Sequence, residues 1–221
     1  MGPRRVVHTV KLMAAREPLV VLDSDGTADL PPGKIAAVVT FLELRQAPDL
    51  PPAGGEWTLD PIGPDLDRYR ALFRRVGEPW LWFSRLVMPE AELRVILADE
   101  RVEAFALRTG GEDIGLLELD FRTPGECELA FLGAVPEKIG SGAGRFLMGR
   151  AVARAFARPI RRLFVHTCTL DHPGALAFYL QAGFRPYTRA VEIADDPRLS
   201  GHLPPEAAPQ IPLFPPASPR R

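Results

Sequence analysis

Cysteine is scarce in this sequence: two among 221 residues, Cys127 and Cys168, far apart and in no metal-type spacing. That excludes a disulfide framework and a cysteine-based zinc site, and reads as two free thiols in a reducing cytoplasm. An excess of charge of either sign is also missing. The net charge is −1, so no overall basic field recruits nucleic acid. No apolar run approaches the ~20 residues that a membrane-spanning helix needs, and no membrane partner is expected. The amino-terminal Met1-Gly2-Pro3-Arg4-Arg5 is basic but lacks a signal-peptide apolar core and the Ser/Thr of a myristoylation signal. The four histidines form no ligand cluster, so no metal is expected. What is present is a chain of 221 residues, 46% hydrophobic and 25% charged, enough for one large domain or for one domain with extensions.

Proline is the one abundant oddity, at 24 residues, and it marks boundaries. Residues 1–34 read as a strand-containing extension, with strand character at Val6–Met13 and Leu19–Leu22. Residues 35–193 read as the main domain. Residues 194–221 hold eight prolines and little apolar periodicity, which predicts an extended or disordered arm. Within the domain the pattern predicts a strand at Ile35–Leu44 and a loop over Pro48–Pro64. Helices are expected at Asp65–Val76, Trp80–Leu86 and Pro89–Asp99. A three-strand meander follows, at Val102–Arg108, Ile114–Phe121 and Cys127–Ala134. A helix ending near Arg158, a strand at Arg162–Thr169, a short helix at Pro173–Ala182 and a last strand at Phe184–Ile193 complete it.

The most informative stretch joins the third meander strand to the next helix. Gly140, Gly142 and Gly144 alternate there, within Ile139-Gly140-Ser141-Gly142-Ala143-Gly144-Arg145. A strand that turns through such a loop into a helix presents free backbone N–H groups and the positive end of the helix dipole, a site for phosphate. Glycine matters because a Cβ would keep a pyrophosphate off the backbone.

Two segments carry a resemblance to the GNAT superfamily of acetyl-CoA-dependent N-acetyltransferases. One is Val135-Pro136-Glu137 through Gly144-Arg145, similar to the family's Val-x-Pro-x-x-[Gln/Arg]-x-x-Gly-x-[Gly/Ala]. The other is His172 through Ala175, Tyr179 and Gly183-Phe184, similar to Asn-x-x-Ala-x-x-[Leu/Phe]-Tyr-x-x-x-Gly-Phe. Ile139 stands where Gln or Arg is usual, His172 where Asn is usual, and the spacing from Val135 to the glycines is one residue short. Ile139 removes a side-chain contact and leaves the backbone cradle. The resemblance implies an α/β (α+β) fold: a mixed, mostly antiparallel sheet flanked by helices, with strands splayed at the coenzyme site. It implies acetyl-CoA as cosubstrate. Leu132, Gly133, Ala134 and Val135 would line the pantetheine arm, and Ile139, Gly140, Ser141, Gly142, Ala143, Gly144 and Arg145 the pyrophosphate. His172 and Ala175 would lie nearby.

Amine acetylation needs a base for the amine and an acid for the leaving sulfur. Glu128 is the first candidate for the base and Glu126 the second; alternation places both on one strand face with Ala130 and Leu132. A solvated pair at the strand start is the alternative. The resemblance makes Tyr179 the acid; an aromatic packed under the sheet is the other reading. Cys168 reads as a small core residue more readily than as a nucleophile. Trp57, Trp80, Trp82, Phe83 and Tyr69 fall where acceptor-side helices begin, either lining a pocket or filling core.

The expected function is transfer of an acetyl group to a primary amine of a small molecule, in a ternary complex. The alternatives are a protein lysine or N-terminal acetyltransferase using the proline tail for docking, and a coenzyme A-binding sensor with weak catalysis. A homodimer is compatible with the sequence.

Overall fold

The computed structural model describes residues 25–51 and 54–216. The chain divides into two compact units, Met1–Leu30 and Pro31–Arg221. Of the first, residues 25–30 are described and are exposed, without helix or strand. The strands expected at Val6–Met13 and Leu19–Leu22 lie outside the described residues.

The second unit is built on one sheet. β1 (Lys34–Leu44), β2 (Thr58–Pro61), β3 (Val102–Thr109), β4 (Glu112–Asp120), β5 (Glu126–Ala134), β6 (Arg162–Cys168) and β7 (Arg185–Asp195) stand in the order β2-β3-β4-β5-β6-β1-β7. All neighbours are antiparallel except β5 and β6, which run parallel. This is the mixed, mostly antiparallel sheet expected. β2 is an addition: the sequence reading makes residues 48–64 a loop, but Thr58–Pro61 pairs with β3. Four residues show no periodicity, and Pro61 is tolerated because the strand lies at the sheet edge.

Among the described residues, five helices cover the sheet: α1 (Leu66–Gly77), α2 (Ser84–Val87), α3 (Glu90–Ala98), α4 (Ala143–Phe156) and α5 (Ala175–Gln181). Asp65 caps α1, its carboxylate accepting the Arg68 N–H at 3.0 Å. Tyr69, Leu72, Phe73 and Val76 then fall on one stripe and are buried. The single helix expected at Trp80–Leu86 is broken in two. A 3-10 turn spans Glu78–Trp80, Leu81 takes a left-handed φ of 52°, and α2 begins at Ser84. Leu81 is held there because its side chain is buried in a cluster with Ile35, Ala194 and Leu203.

The helices divide between two faces. Tyr69 of α1 donates its hydroxyl to Glu118 of β4. Arg154 of α4 reaches Glu103 of β3 at 2.6 Å. Glu103 pairs with Leu119, the neighbour of Glu118, and adjacent strand residues point to opposite faces. So α1 lies on one face and α4 on the other. α5 joins α4, since Phe178 lies 3.7 Å from where a Cβ on Gly144 would stand.

The carboxy-terminal stretch does not form the extended arm that its prolines suggest. Leu203, Ala207 and Ala208 are buried against Ile35, Leu81 and Ala194. Arg198 ties the stretch together: it grips both oxygens of Asp196 at 2.9 and 2.7 Å and donates to the carbonyls of Ala207 (3.1 Å) and Ile211 (2.8 Å). Gln210 binds the Pro79 carbonyl at 3.0 Å and Arg74 the His202 carbonyl at 2.7 Å. A few buried alanines and one leucine leave no period to read, yet suffice with a satisfied arginine.

Candidate active site

β5 and β6 pair at Glu126↔Arg162, Cys127↔Leu163 and Glu128↔Phe164, and no further. β5 continues to Ala134 and β6 to Cys168, so the strands part beyond Glu128. This is the expected splay. β5 also bulges. Glu118 pairs with Phe131 and Leu119 with Leu129, which leaves Ala130 unpaired against β4. The extra residue reverses the alternation. Glu126 and Glu128 therefore share a face with Phe131 and Gly133, not with Ala130 and Leu132 as simple alternation predicts. Leu132, opposite Leu117, turns to the α4 face.

The α1 face of the splay is crowded with aromatic rings. Phe131 meets Phe73 edge-on at 4.8 Å and Trp82 at 5.4 Å. A Cβ on Gly133 would lie 2.5 Å from Val76 and 3.1 Å from Trp82, so glycine there makes room for the indole. Trp82 then reaches past β5: its Nε1–H donates to Asp171 Oδ1, just after β6, at 2.9 Å. Asp171 Oδ2 accepts from Thr167 Oγ1 and the Cys168 N–H, both at 2.8 Å. Behind this lies a buried network in which Tyr69 and Arg85 (2.5 Å) both bind Glu118, with Arg85 also 5.2 Å from the Phe131 ring centroid.

The expected acceptor aromatics separate. Tyr69 is fully buried core. Trp57 belongs to the other face, 5.6 Å from Phe146 of α4 and next to Gly142. Phe83 packs on the carboxy-terminal cluster. Trp80 and Trp82 remain beside the splay, Trp80 with its ring 5.0 Å from His172.

Glu128 is part-exposed, and its Oε1 lies 3.7 Å from His166 Nδ1 on β6. Burial alone would lower the His166 pKa, but the Glu128 carboxylate, with Asp171 and Glu192, outweighs it and holds the imidazole above its usual range. Glu126 is committed elsewhere, bound to Arg162 at 3.0 Å and Arg161 at 3.6 Å. That explains it as a strut between the strands. Cys168 is pushed up to about 11 by burial first and Asp171 second, so it stays a thiol near neutrality.

The glycine-rich loop before α4, expected to take a diphosphate, offers fewer free amides than its glycines suggest. Val135 donates its N–H to Ile114 (2.9 Å) and accepts from Lys138 (2.9 Å), so both its backbone groups are used within the fold. Its carbonyl oxygen keeps a second lone pair that can accept from a ligand. The N–H groups of Ile139 and Ser141 are likewise turned inward, to Pro136 (3.1 Å) and Lys138 (3.2 Å), because the chain winds a 3-10 turn at Pro136–Lys138. Gly140 (φ 84°) and Gly142 (φ 97°) then make turns that other residues resist. The first helical bond of α4 runs from Phe146 N–H to the Gly142 carbonyl, so the amides of Ala143, Gly144 and Arg145 precede it. Ser141 Oγ takes up that of Ala143 at 3.3 Å. Gly144 and Arg145 remain at the mouth. The Arg145 guanidinium folds back to within 3.5 Å of where a Gly142 Cβ would be, and the first turn holds no acidic residue. The chemistry fits a diphosphate.

Tyr179, on α5, is buried on the α4 face, its ring 5.6 Å from Phe178 and 5.7 Å from Phe184. Burial first, and Asp171 second, raise its pKa well above the usual phenol value, so it keeps its proton. His172 spends Nδ1 on the Gly174 N–H at 2.9 Å, and its carbonyl accepts the Ala175 N–H at 2.8 Å to open α5. His172 and Ala175 therefore shape the turn into α5. Two residues escaped the sequence reading. Asp171 had no signal beyond its place after a strand, and His166 was visible only as a histidine two positions from Cys168.

Among the described residues, no helix is long and apolar enough to cross a membrane, and no group of three or more His, Cys, Asp or Glu could hold a metal ion.

The family model described as the acetyltransferase (GNAT) family matches residues 69–184, more than half of the chain. No curated protein matches significantly. Among solved structures, a putative GNAT acetyltransferase from Novosphingobium aromaticivorans aligns at 19% identity and a TM-score of 0.52, over 75% of this chain and 68% of that one. A GCN5-related N-acetyltransferase from Sphaerobacter thermophilus aligns at 20% and 0.53, over 75% and 52%. A functionally unknown conserved protein from Staphylococcus epidermidis aligns at 11% and 0.54, over 74% and 64%. The likeness is one of fold, and this chain spans roughly half to two thirds of those proteins.

Proposed function

The chain belongs to the GNAT acetyltransferase family, and from that premise we propose that it transfers an acetyl group to the primary amine of a small molecule, with both substrates bound together. The observation that carries this reading is the parting of β5 from β6 beyond Glu128, with the glycine-turned start of α4 on one face and Trp82 on the other. The residues fit acetyl-CoA, which supplies the acetyl group as a thioester. The amides of Gly144 and Arg145, with the Arg145 guanidinium, hold its diphosphate. The backbone of Leu132, Gly133 and Ala134 lines the slot. Holding two reactants in register removes an entropic barrier that would otherwise dominate the rate.

Proton traffic divides between the faces. Glu128 serves the amine on the α1 face. Tyr179, whose hydroxyl is kept protonated by burial, delivers a proton to the departing sulfur from the α4 face. The rings of Trp80 and Trp82 and the carboxylates of Glu128 and Asp171 favour a cationic amine with an apolar body. The packed carboxy-terminal stretch counts against a free docking arm for a protein substrate.

Coenzyme A at 100 times its dissociation constant should stabilise the protein by about 2.7 kcal/mol. Free-thiol release from acetyl-CoA should then appear with one or more amines of a panel. Binding without release, for any amine or peptide, would make the protein a coenzyme A sensor. No thermal shift at millimolar coenzyme A would end the reading altogether.

A further inference from the structure

Among the described residues, His166 is the imidazole that faces a carboxylate across the splay. It stands on β6 two residues past Phe164, the last position at which β5 and β6 pair. Its partner on the facing strand is Glu128, with Nδ1 3.7 Å from Oε1. Both side chains are a little under one third exposed, 28% and 30%, so the pair is neither sealed in the core nor lost to solvent. The distance exceeds a hydrogen bond but lies within ion-pair reach, and such contacts in ligand-free enzymes commonly tighten when substrate arrives. The Phe41 ring of β1, 5.8 Å away, backs the imidazole. The charged groups that act on it are Glu128 from β5, Asp171 from the turn after β6 and Glu192 from β7, all acidic.

We propose that His166 is the general base of the acetyl transfer and that Glu128 acts through it, as a positioning carboxylate. This rests on the acetyltransferase reading above and refines its base. The step is one proton transfer. An N–H bond of the acceptor ammonium breaks, its electron pair stays on nitrogen as the lone pair that attack requires, and the proton passes to His166 Nε2. The imidazolium so formed keeps Nδ1–H toward Glu128, and later returns the proton to water. An imidazole held above its usual range is matched to an amine far better than a free carboxylate, whose ordinary value lies near 4. The surrounding acids stabilise the imidazolium and draw the cationic acceptor to the same spot.

Two measurements on the full chain test this. The first needs no substrate: the four histidines are titrated by NMR on protein labelled with 15N-histidine, with the H166Q spectrum identifying the resonance. His166 should titrate above the usual imidazole range in the native chain and titrate lower in E128Q, where the facing carboxylate is gone. An unchanged midpoint in E128Q would overturn the pairing. The second uses the best amine from the panel and follows kcat/KM against pH. H166Q should lose roughly 100-fold or more in kcat with KM for acetyl-CoA within about twofold of native. E128Q should lose less and move the acid limb of the profile to lower pH. A greater loss in E128Q than in H166Q, or H166Q within threefold of native, would return the base to Glu128. Failure of every amine in the panel would remove the acetyltransferase reading, while the NMR titration would still decide the pairing.

Discussion

Trp82 hands its indole N–H to Asp171 at 2.9 Å, tying the loop after α1 to the end of β6 while its ring rests against Phe131 of β5. One side chain thus spans both strands that part to make the slot. Trp82→Phe keeps the ring contact and removes the donor. It should cost about 1 kcal/mol of stability, because Asp171 keeps its bonds from Thr167 and Cys168. The larger effect should fall on KM for the amine, with affinity for coenzyme A unchanged. Thermal melts and steady-state kinetics measure the two.

Gly133 is the notch into which Trp82 and Val76 fit. A methyl at this position would meet Val76 at 2.5 Å, a distance no packed core accepts without moving something. Gly133→Ala should destabilise by about 1–3 kcal/mol through overpacking. Gly140→Ala meets no atom within 4 Å, so its cost should come from the φ of 84° alone. Denaturant melts of the two variants separate crowding from backbone strain.

Tyr179→Phe removes a proton donor from a buried ring and leaves its packing against Phe178 and Phe184 intact. The turnover number should fall by roughly 100-fold or more, with coenzyme A affinity within about twofold of native. Equal turnover would remove the acid role. Single-turnover kinetics with saturating acetyl-CoA read this directly.

The buried Arg85 and Glu118 form an ion pair that Tyr69 completes. Arg85→Met should destabilise by about 3–5 kcal/mol, because it strands a carboxylate among apolar side chains. A double-mutant cycle with Glu118→Gln should recover much of that loss. Simple additivity of the two costs would show that the pair is not coupled.

The carboxy-terminal stretch should be acid-sensitive. Burial alone would raise the Asp196 pKa, but the Arg198 guanidinium and Arg198 N–H outweigh it and hold the carboxyl below its usual range. A carboxylate depressed in the folded state contributes stability above its unfolded value, about 3.9, and loses it as pH falls through the lower folded value. The segment should therefore stay packed from neutrality to about pH 4 and loosen below that. Arg198→Met should loosen it at every pH. Limited proteolysis across this range, with cleavage mapped after Asp196, is the measurement.

Much of this molecule was legible in its residues. Alternation in Val102–Arg108 and Ile114–Phe121, with Gly110-Gly111 between them, placed the meander within two residues. The glycine-rich run placed the start of α4, and the Tyr179 segment placed α5. Such features survive in sequence because a period, a cap or a left-handed turn constrains the residue that occupies it. The breaks came where nothing periodic is required. β2 is too short for a pattern, and the carboxy-terminal stretch packs through Arg198 and scattered alanines that look like linker.

By itself, then, the order of residues determined the strand and helix series, the glycine turns before α4 and the membership of the family, since these depend on local geometry and near neighbours. Tertiary structure alone decided which groups face each other across the slot. An unpaired Ala130 reverses the face of every β5 residue after it, turning Leu132 away and bringing Phe131 and Gly133 in. The approach of β6 sets His166 beside Glu128 and Asp171 beneath Trp82. Those pairs are 38 and 89 residues apart along the chain, and no local rule acts over such a distance.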